Sequence, residues 1–198
     1  MIASKSYYKI LEAIYINSEI RLNELIRKSS ISVETAKARL DELLETGIIK
    51  EKRLKSGKKT IIRNFYPNLE SEEGLIAFSL VELEKKNGFF IKNTKLIGPF
   101  KELIKELKEI EIVLIFGSFA SFSQTEDSDL DLLLLTTNRY NKERIKKTIE
   151  RSFVTFDHEV SPRVELIKNF KKNALYDSIK KNHIVVKGIL RYIKNFQD

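Results

Sequence analysis

Residues 115–135, IFGSFASFSQTEDSDLDLLLL, constrain the fold more than any other stretch of this chain. They contain the end of one apolar run, a Gly-Ser turn, a polar loop and a second apolar run that begins with two aspartates. Both apolar runs have the length and composition of buried strands. Because residues i and i+2 of a strand point to one face, Asp129 and Asp131 are predicted to share a face, with Leu130 and Leu132 on the other.

Two carboxylates held side by side repel one another, and each raises the pKa of the other. Proteins tolerate this arrangement chiefly where a divalent cation lies between the carboxylates, and oxygen ligands beside phosphates suit Mg²⁺. Ten residues separate Asp129 from Ser118, which with Gly117 ends the first strand. A glycine there lets the backbone approach a ligand, and a helix N-terminus aims amide groups at phosphates. We therefore predict that Asp129 and Asp131 bind magnesium, and that Gly117 and Ser118 hold the phosphates of ATP or another nucleoside triphosphate.

The arrangement GSFA…SDLDL resembles the minimal nucleotidyltransferases of the polymerase-beta superfamily, over roughly residues 96–190. The resemblance implies that an acceptor hydroxyl displaces pyrophosphate, and that a third carboxylate on a later strand joins the catalytic metal site and helps to deprotonate the hydroxyl. We expect that strand in FVTFDHEVSPRVEL, with Asp157, Glu159, Ser161 and Arg163 alternating onto one side. The family's third acid falls near Ser161, and Glu159 is the expected catalytic and metal-binding carboxylate.

Ser121 and Phe122 stand where many members of that family have Arg-Gly, so a basic contact and a flexible glycine are missing. These two differences from the family pattern are expected to affect catalytic turnover more than nucleotide binding. One hypothesis is therefore an enzyme, and the alternative is a DNA-binding regulator whose catalytically inactive nucleotidyltransferase fold senses a nucleotide or a partner. Extension of polynucleotide ends is less favoured, because no large added domain is expected to hold a nucleic-acid end.

The first third of the chain is predicted to form three helices and a β-hairpin. Apolar side chains at helical spacing predict helices from about Tyr7, Leu22 and Ser32, the last one capped by Ser32 and ended by Gly47. After Gly47 the apolar pattern alternates, and KSGK around Gly57 predicts the hairpin turn. This is the element order of a winged helix-turn-helix, and the stretch LLETGIIKEKR resembles winged-helix regulators of archaea and bacteria.

Basic residues dominate the predicted hairpin, with seven between positions 50 and 63 against one acid, Glu51, in a chain of formal net charge +8. A basic hairpin beside the third helix suits a helix in the major groove and a wing on the phosphates of double-stranded DNA. The alternative is a solvated hairpin in a domain used only for protein contacts. The predicted DNA-binding residues are Ser32, Thr35, Lys37, Arg39, Lys52, Arg53, Lys55, Lys58 and Lys59.

These features predict an α/β (α+β) protein, with a winged helix-turn-helix and a nucleotidyltransferase fold of a small mixed sheet flanked by helices. The linker helix is expected to place Ile76, Leu80 and Leu83 on one apolar face and to end at Asn87-Gly88. The predicted divisions are a winged helix-turn-helix domain at 1–68, a linker at 69–95 and a nucleotidyltransferase domain at 96–198.

Relatives of such minimal nucleotidyltransferases often act as antitoxins that transfer a nucleotide onto a HEPN-type ribonuclease toxin. The resemblance therefore implies such a toxin as a partner, with promoter DNA as the target of the winged helix. A winged-helix repressor is ordinarily a homodimer on a palindromic site. No apolar run approaches the length of a membrane span, and the chain has no cysteine, so we expect a cytoplasmic protein without a membrane partner.

Overall fold

The computed structural model describes residues 5–56 and 60–196. The chain forms two compact units, one up to Val81 together with the chain end from Ile193, and the other covering Glu82–Tyr192. Three residues of the predicted hairpin turn lie outside the described residues, namely Gly57, Lys58 and Lys59.

The first unit has the helix and strand order of a winged helix-turn-helix. Its strands form an antiparallel sheet in the order β1-β3-β2. The three predicted helices and the paired hairpin strands are confirmed. The elements are α1 (Lys5–Asn17), β1 (Ile20–Arg21), α2 (Leu22–Ser29), α3 (Val33–Glu45), β2 (Ile49–Ser56) and β3 (Thr60–Pro67).

Helix α3 begins and ends where its sequence signals predict. The Ser32 side chain accepts a hydrogen bond from the backbone N–H of Thr35, which satisfies one free amide at the helix start. Gly47 follows the last turn with a φ of 69°, a left-handed conformation that favours glycine. Between these ends, Ala36 and Leu40 are fully buried and hold the helix on the core of the unit.

Helix α4 (Glu72–Lys92) runs one turn beyond its predicted end, because Gly88 continues the helix and Phe89 behind it is fully buried. The predicted apolar face of Ile76, Leu80 and Leu83 is not the face that packs on the core. Ile76 and Leu83 are 52% and 38% exposed, whereas Phe78 is fully buried and stacks on Tyr15 at 5.6 Å. The aromatic contact decides which side of the helix faces the core.

The second unit carries a four-stranded sheet with helices around it. After α4 and a 3₁₀ turn (Thr94–Leu96), α5 begins at Ile97, and Pro99 is tolerated because its first turn needs no amide donor. The remaining elements are α5 (Ile97–Glu106), β4 (Ile112–Phe116), α6 (Gly117–Ser121), β5 (Leu130–Thr136), α7 (Lys142–Ser152), β6 (Val160–Leu166), α8 (Ile167–Phe170), α9 (Tyr176–Lys181), β7 (Ile184–Lys187) and α10 (Ile189–Phe196).

The strand order of this sheet is β6-β5-β4-β7. Strands β5 and β6 are parallel, and β4 is antiparallel to both β5 and β7, so the sheet is mixed as predicted. Every residue of β5 is buried except Asp131, which is half-buried. Apolar packing therefore holds β5 on both faces, and the Asp131 carboxylate lies near the start of the strand.

Candidate functional site

The Gly-Ser turn and the aspartate pair meet at one end of strands β4 and β5. The register pairs Phe116, the last residue of β4, with Asp131 of β5. Gly117 then leaves the strand with a φ of 68°. A β-carbon built on Gly117 would lie 2.2 Å from Oδ2 of Asp131, so the carboxylate packs directly against the glycine backbone. The left-handed conformation favours glycine at this turn, and a larger residue would displace the Asp131 carboxylate.

Asp129 and Asp131 lie close enough to influence one another. Asp129 is exposed and directly precedes β5, whereas Asp131 is half-buried, and the intervening Leu130 is fully buried. Burial raises the pKa of Asp131, the positive charge of Arg163 opposes that rise, and the negative charge of Asp129 adds to it. The expected effect of a neighbouring carboxylate is therefore present at Asp131, where it adds to the larger effect of burial.

Strand β6 starts later than the sequence suggested. It begins at Val160, so of the four alternating residues only Ser161 and Arg163 lie in the strand. Asp157 is instead paired with Lys95 at 2.8 Å. The parallel register places Ser161 directly opposite Asp131. The β6 residue paired with the half-buried Asp131 is therefore Ser161, which has a hydroxyl group in place of a carboxylate.

Glu159 precedes β6 and has an exposed side chain. Its backbone carbonyl accepts a hydrogen bond of 2.8 Å from the amide of Leu130, so its backbone lies beside the start of β5. It lines a cavity of about 580 Å³ together with Lys146 and Glu150 of α7. Glu159 stays a prediction for the third carboxylate.

The donor set fits a divalent cation with two carboxylates. Within residues 5–56 and 60–196, no group of three or more acidic or histidine side chains is placed to hold one metal ion. Asp129 and Asp131 supply carboxylate oxygens, which are the ligands that Mg²⁺ prefers. The Asp131 carboxylate lies directly against the backbone of Gly117. These two residues would hold the metal, with Gly117 and Ser118 beside it.

His158 has a positioning role that sequence reasoning missed. Its Nδ1 lies 2.9 Å from the carbonyl oxygen of Ser128, the residue before Asp129. Its ring also packs edge-on against Phe119 of α6, with centroids 5.2 Å apart. His158 therefore ties the aspartate loop to the helix of the phosphate turn. A lone histidine thirty residues from Ser128 gives no signal of this in the sequence.

Phe122 occupies the position where family members have glycine, and its φ of 55° is in the left-handed region. Its ring contacts Phe89 of α4 at 6.1 Å, and the Lys92 ammonium lies 4.1 Å from the ring centroid. The cation–π contact and the aromatic contact offset the backbone cost of a non-glycine residue there. Lys92 thereby brings a positive charge to the helix end where the family's arginine is missing, and no sequence pattern indicated it.

The predicted DNA-binding residues of α3 divide into capping, paired and free side chains. Ser32 and Thr35 bond to each other at the N-cap, with their hydroxyls 3.0 Å apart. Arg39 lies over the Tyr7 ring at 4.6 Å and donates two hydrogen bonds to Glu42. Lys37 is exposed.

The basic hairpin is partly neutralised by its own acid. Glu51 pairs with both Arg53 and Arg63. Lys52 and Lys55 are exposed and make no hydrogen bond or ion pair with any residue that the structure describes. These two lysines therefore present unpaired charge on β2, and the predicted contacts Lys58 and Lys59 lie outside the described residues.

Across both described segments, no helix combines the length and apolar character required to cross a membrane.

Comparison with known families finds two matching models. Residues 99–190 match a family described as polymerase beta, nucleotidyltransferase, and residues 7–50 match a winged helix-turn-helix DNA-binding family. No curated protein and no solved structure matches the chain significantly. The matched segments cover the Gly117–Asp131 site and the helices that precede the basic hairpin. The chain therefore contains a winged helix-turn-helix region at 7–50 and a polymerase beta-type nucleotidyltransferase domain at 99–190.

Proposed function

We propose that this protein is a DNA-binding nucleotidyltransferase that uses Mg²⁺ and ATP, or another nucleoside triphosphate, to modify a hydroxyl group of a protein or an RNA. The observation that carries the proposal is the packing of Asp131 against Gly117, because a metal held by this carboxylate would lie beside phosphates held by the turn. Burial and, to a smaller extent, the charge of Asp129 raise the pKa of Asp131, and a cation shared by the two carboxylates would offset both effects.

Each residue has a defined part in this reaction. The backbone at Gly117 and Ser118 would hold the β- and γ-phosphates, and Asp129 and Asp131 would hold Mg²⁺. Bound Mg²⁺ supplies positive charge that offsets the charge of the phosphates and of departing pyrophosphate. The acceptor oxygen attacks the α-phosphorus, the bond from that phosphorus to the bridging oxygen breaks, and Glu159 takes the hydroxyl proton.

We further propose that the winged helix binds double-stranded DNA as a homodimer in the cytoplasm, and that a HEPN-type toxin is the acceptor protein. This assignment rests on the family resemblance and on the unpaired lysines of the hairpin, Lys52 and Lys55. The same protein would then both nucleotidylate the toxin and repress a promoter.

The decisive experiment incubates the protein with α-labelled ATP and Mg²⁺, with and without the product of its genomic neighbour. Label is expected on protein or RNA. The double variant Asp129→Asn/Asp131→Asn should remove it, while Asp127→Asn, which neutralises an exposed acid of the same loop, should keep it. Label that persists in the double variant would place the chemistry elsewhere.

A second candidate function is favoured by Ser161, which lies opposite Asp131 where an acid would complete the site. In this alternative the domain binds magnesium and nucleotide without transfer, and the bound nucleotide changes the affinity of the winged helix for DNA. The alternative predicts nucleotide-dependent DNA binding with no label transferred. Glu159→Gln separates the two functions, since it abolishes labelling by an enzyme and leaves a sensor's nucleotide affinity within about twofold.

A further inference from the structure

A second positively charged site lies at the other end of the sheet from Gly117. Four cations surround a pocket of about 540 Å³, accompanied by one acid, Glu111. Glu111 directly precedes β4 and Gly117 directly follows it, so the six-residue separation places the two sites roughly 20 Å apart along the strand. We call this site the basic pocket, and its cations are Lys86, Lys108, Lys187 and Arg191.

Glu111, the acid of the basic pocket, interacts with Arg191 and Thr137. Glu111 contacts Arg191 and accepts hydrogen bonds from the backbone amide and the hydroxyl of Thr137. Its charge therefore offsets that of the arginine and leaves the three lysines without a carboxylate of their own inside the pocket.

The three lysines of the basic pocket have few hydrogen-bond or ion-pair partners. Lys187 donates to the carbonyl oxygen of Leu107 at 3.2 Å. Among the described residues, neither Lys86 nor Lys108 has a hydrogen-bond or ion-pair partner. Lysines of α4, β7 and the segment after α5 thus line one concave surface.

Two of these lysines are partly removed from water. Burial lowers the pKa of Lys86. Burial also lowers the pKa of Lys187, against the opposing charge of Glu109. Partial burial of a charged lysine costs folding free energy, and an anion bound beside it would offset that cost.

The floor of the basic pocket is formed by packed backbone and apolar side chains. Ile110 and Val186 beneath it are buried, and Gly188 turns the chain with a φ of 81° against the carbonyl of Glu111. A β-carbon on Gly188 would meet that carbonyl oxygen at 2.2 Å. Packing against the sheet therefore fixes the base of the basic pocket, and the lysines lie at its edges.

We propose that the basic pocket binds a phosphate-bearing anion at a site separate from the Gly117 turn, the anion being a free oligophosphate or the backbone of a nucleic acid strand. Lysine ammonium groups bind phosphate as point charges, and several of them on one surface select a ligand with several phosphates. This site does not depend on nucleotide transfer at Asp129 and Asp131.

The test compares two double variants of the full chain that remove the same charge. Lys86→Gln/Lys187→Gln alters the basic pocket, and Lys142→Gln/Lys147→Gln alters exposed lysines of α7. The first probe is inorganic tripolyphosphate in EDTA, because without a metal the carboxylates at Gly117 repel a polyanion. Its Kd should rise about tenfold or more in the pocket variant and stay within about twofold in the control.

A labelled single-stranded oligonucleotide identifies the source of the phosphates. If the strand's affinity falls with that of tripolyphosphate, and its salt slope falls by about 1.4 for two lost contacts, the ligand is a nucleic acid backbone. If only tripolyphosphate binding weakens, the ligand is a free oligophosphate. Equal loss of tripolyphosphate binding in the two double variants overturns the proposal.

Thermal unfolding gives an independent readout. Removing half-buried, unneutralised lysines should raise the Tm of the ligand-free pocket variant relative to the α7 control, whereas lysines with a structural role would lower it when replaced. A lower Tm in the pocket variant would count against a ligand site.

Discussion

The carboxylate of Asp131 takes the space that a β-carbon of Gly117 would fill, since that carbon would lie 2.2 Å from Oδ2. Gly117 also has a φ of 68°, which any residue with a side chain adopts only with strain. The backbone conformation and the contact with Asp131 therefore both favour glycine at this turn. They also couple the turn to the carboxylate, so a change at either residue displaces the other.

Replacing Gly117 tests this coupling. Gly117→Ala is expected to push the Asp131 carboxylate aside and to weaken Mg²⁺-dependent nucleotide binding by about tenfold or more, measured by calorimetry. It should also destabilise the fold by roughly 1–2 kcal/mol from the left-handed backbone alone.

Gly88→Ala is the matched control for this substitution. Gly88 lies in α4 with no atom within 4 Å of an added β-carbon. Alanine there should stabilise the helix by about 0.5–1 kcal/mol and leave nucleotide affinity unchanged. Unaltered nucleotide binding in Gly117→Ala would remove the turn from the site.

The buried position of Asp131 predicts a conflict between stability and metal binding. Burial raises the pKa of its carboxyl, so without metal its ionised form destabilises the fold, increasingly as the pH rises through the folded pKa. In EDTA at neutral pH, Asp131→Asn should therefore have a higher Tm than the parent protein. Adding Mg²⁺ and ATP should raise the Tm of the parent and leave that of the variant unchanged. A fall in the EDTA Tm of Asp131→Asn would contradict this prediction.

Glu82 should stabilise the second unit in a pH-dependent way. The side chain is fully buried, and its Oε1 lies 2.9 Å from Nε2 of His183 and 3.1 Å from the Lys85 ammonium. Burial would raise its pKa, but the charges of His183 and Lys85 outweigh that effect and lower the pKa to about 2. The ionised carboxylate thus contributes stability above pH of about 4.5, and this contribution is lost as the pH falls toward 2.

Glu82→Gln should accordingly lower the free energy of unfolding by roughly 3 kcal/mol at pH 7, because it removes the buried carboxylate that pairs with Lys85 and bonds to His183. Urea unfolding should show the deficit shrinking between pH 4.5 and pH 3. Glu84→Gln, on an exposed side of the same helix, should change stability by less than about 0.5 kcal/mol. A deficit that is the same at pH 3 and pH 7 would refute the ionised pair.

The unpaired lysines of β2 should govern the salt dependence of DNA binding. Lys52→Gln/Lys55→Gln is expected to reduce the slope of log Kobs against log salt by about 1.8, for two lost phosphate contacts on a duplex. Arg39→Gln should leave the slope almost unchanged, because its guanidinium is held by Tyr7 and Glu42. Fluorescence anisotropy over a range of salt concentrations measures both effects.

Lys101→Gln/Lys105→Gln, on exposed positions of α5, is the control for the loss of two charges. An equal reduction of the slope in this control and in the β2 variant would show that net charge, and no particular lysine, drives the binding.

Local patterns account for the parts of the fold that the sequence predicted. Ser32 begins a helix because its hydroxyl caps the amide of Thr35, and Gly47 ends it because its backbone is left-handed. Leu130 and Leu132 lie on the face of β5 opposite Asp131, because successive strand residues alternate between faces. Each of these outcomes depends on neighbours within a few residues, which a sequence displays directly.

The site differs from its prediction where distant contacts intervene. The segment before Val160 stays out of the sheet while His158 bonds to the Ser128 carbonyl and Asp157 pairs with Lys95. The register of β6, which puts Ser161 opposite Asp131, follows from strand pairing that no local pattern specifies. The exposed face of α4 likewise follows from aromatic packing.

Periodicity, turn residues and charge therefore determined from the sequence alone that this chain joins a winged helix to a nucleotidyltransferase fold with two aspartates beside a glycine turn. Tertiary structure alone decided that Asp131 packs on Gly117, that Lys92 covers Phe122, and that lysines of three segments line the basic pocket. The physical reason is that helix and strand signals act over a few residues. Contacts between side chains such as Glu82 and His183, 101 residues apart, depend on how the elements pack.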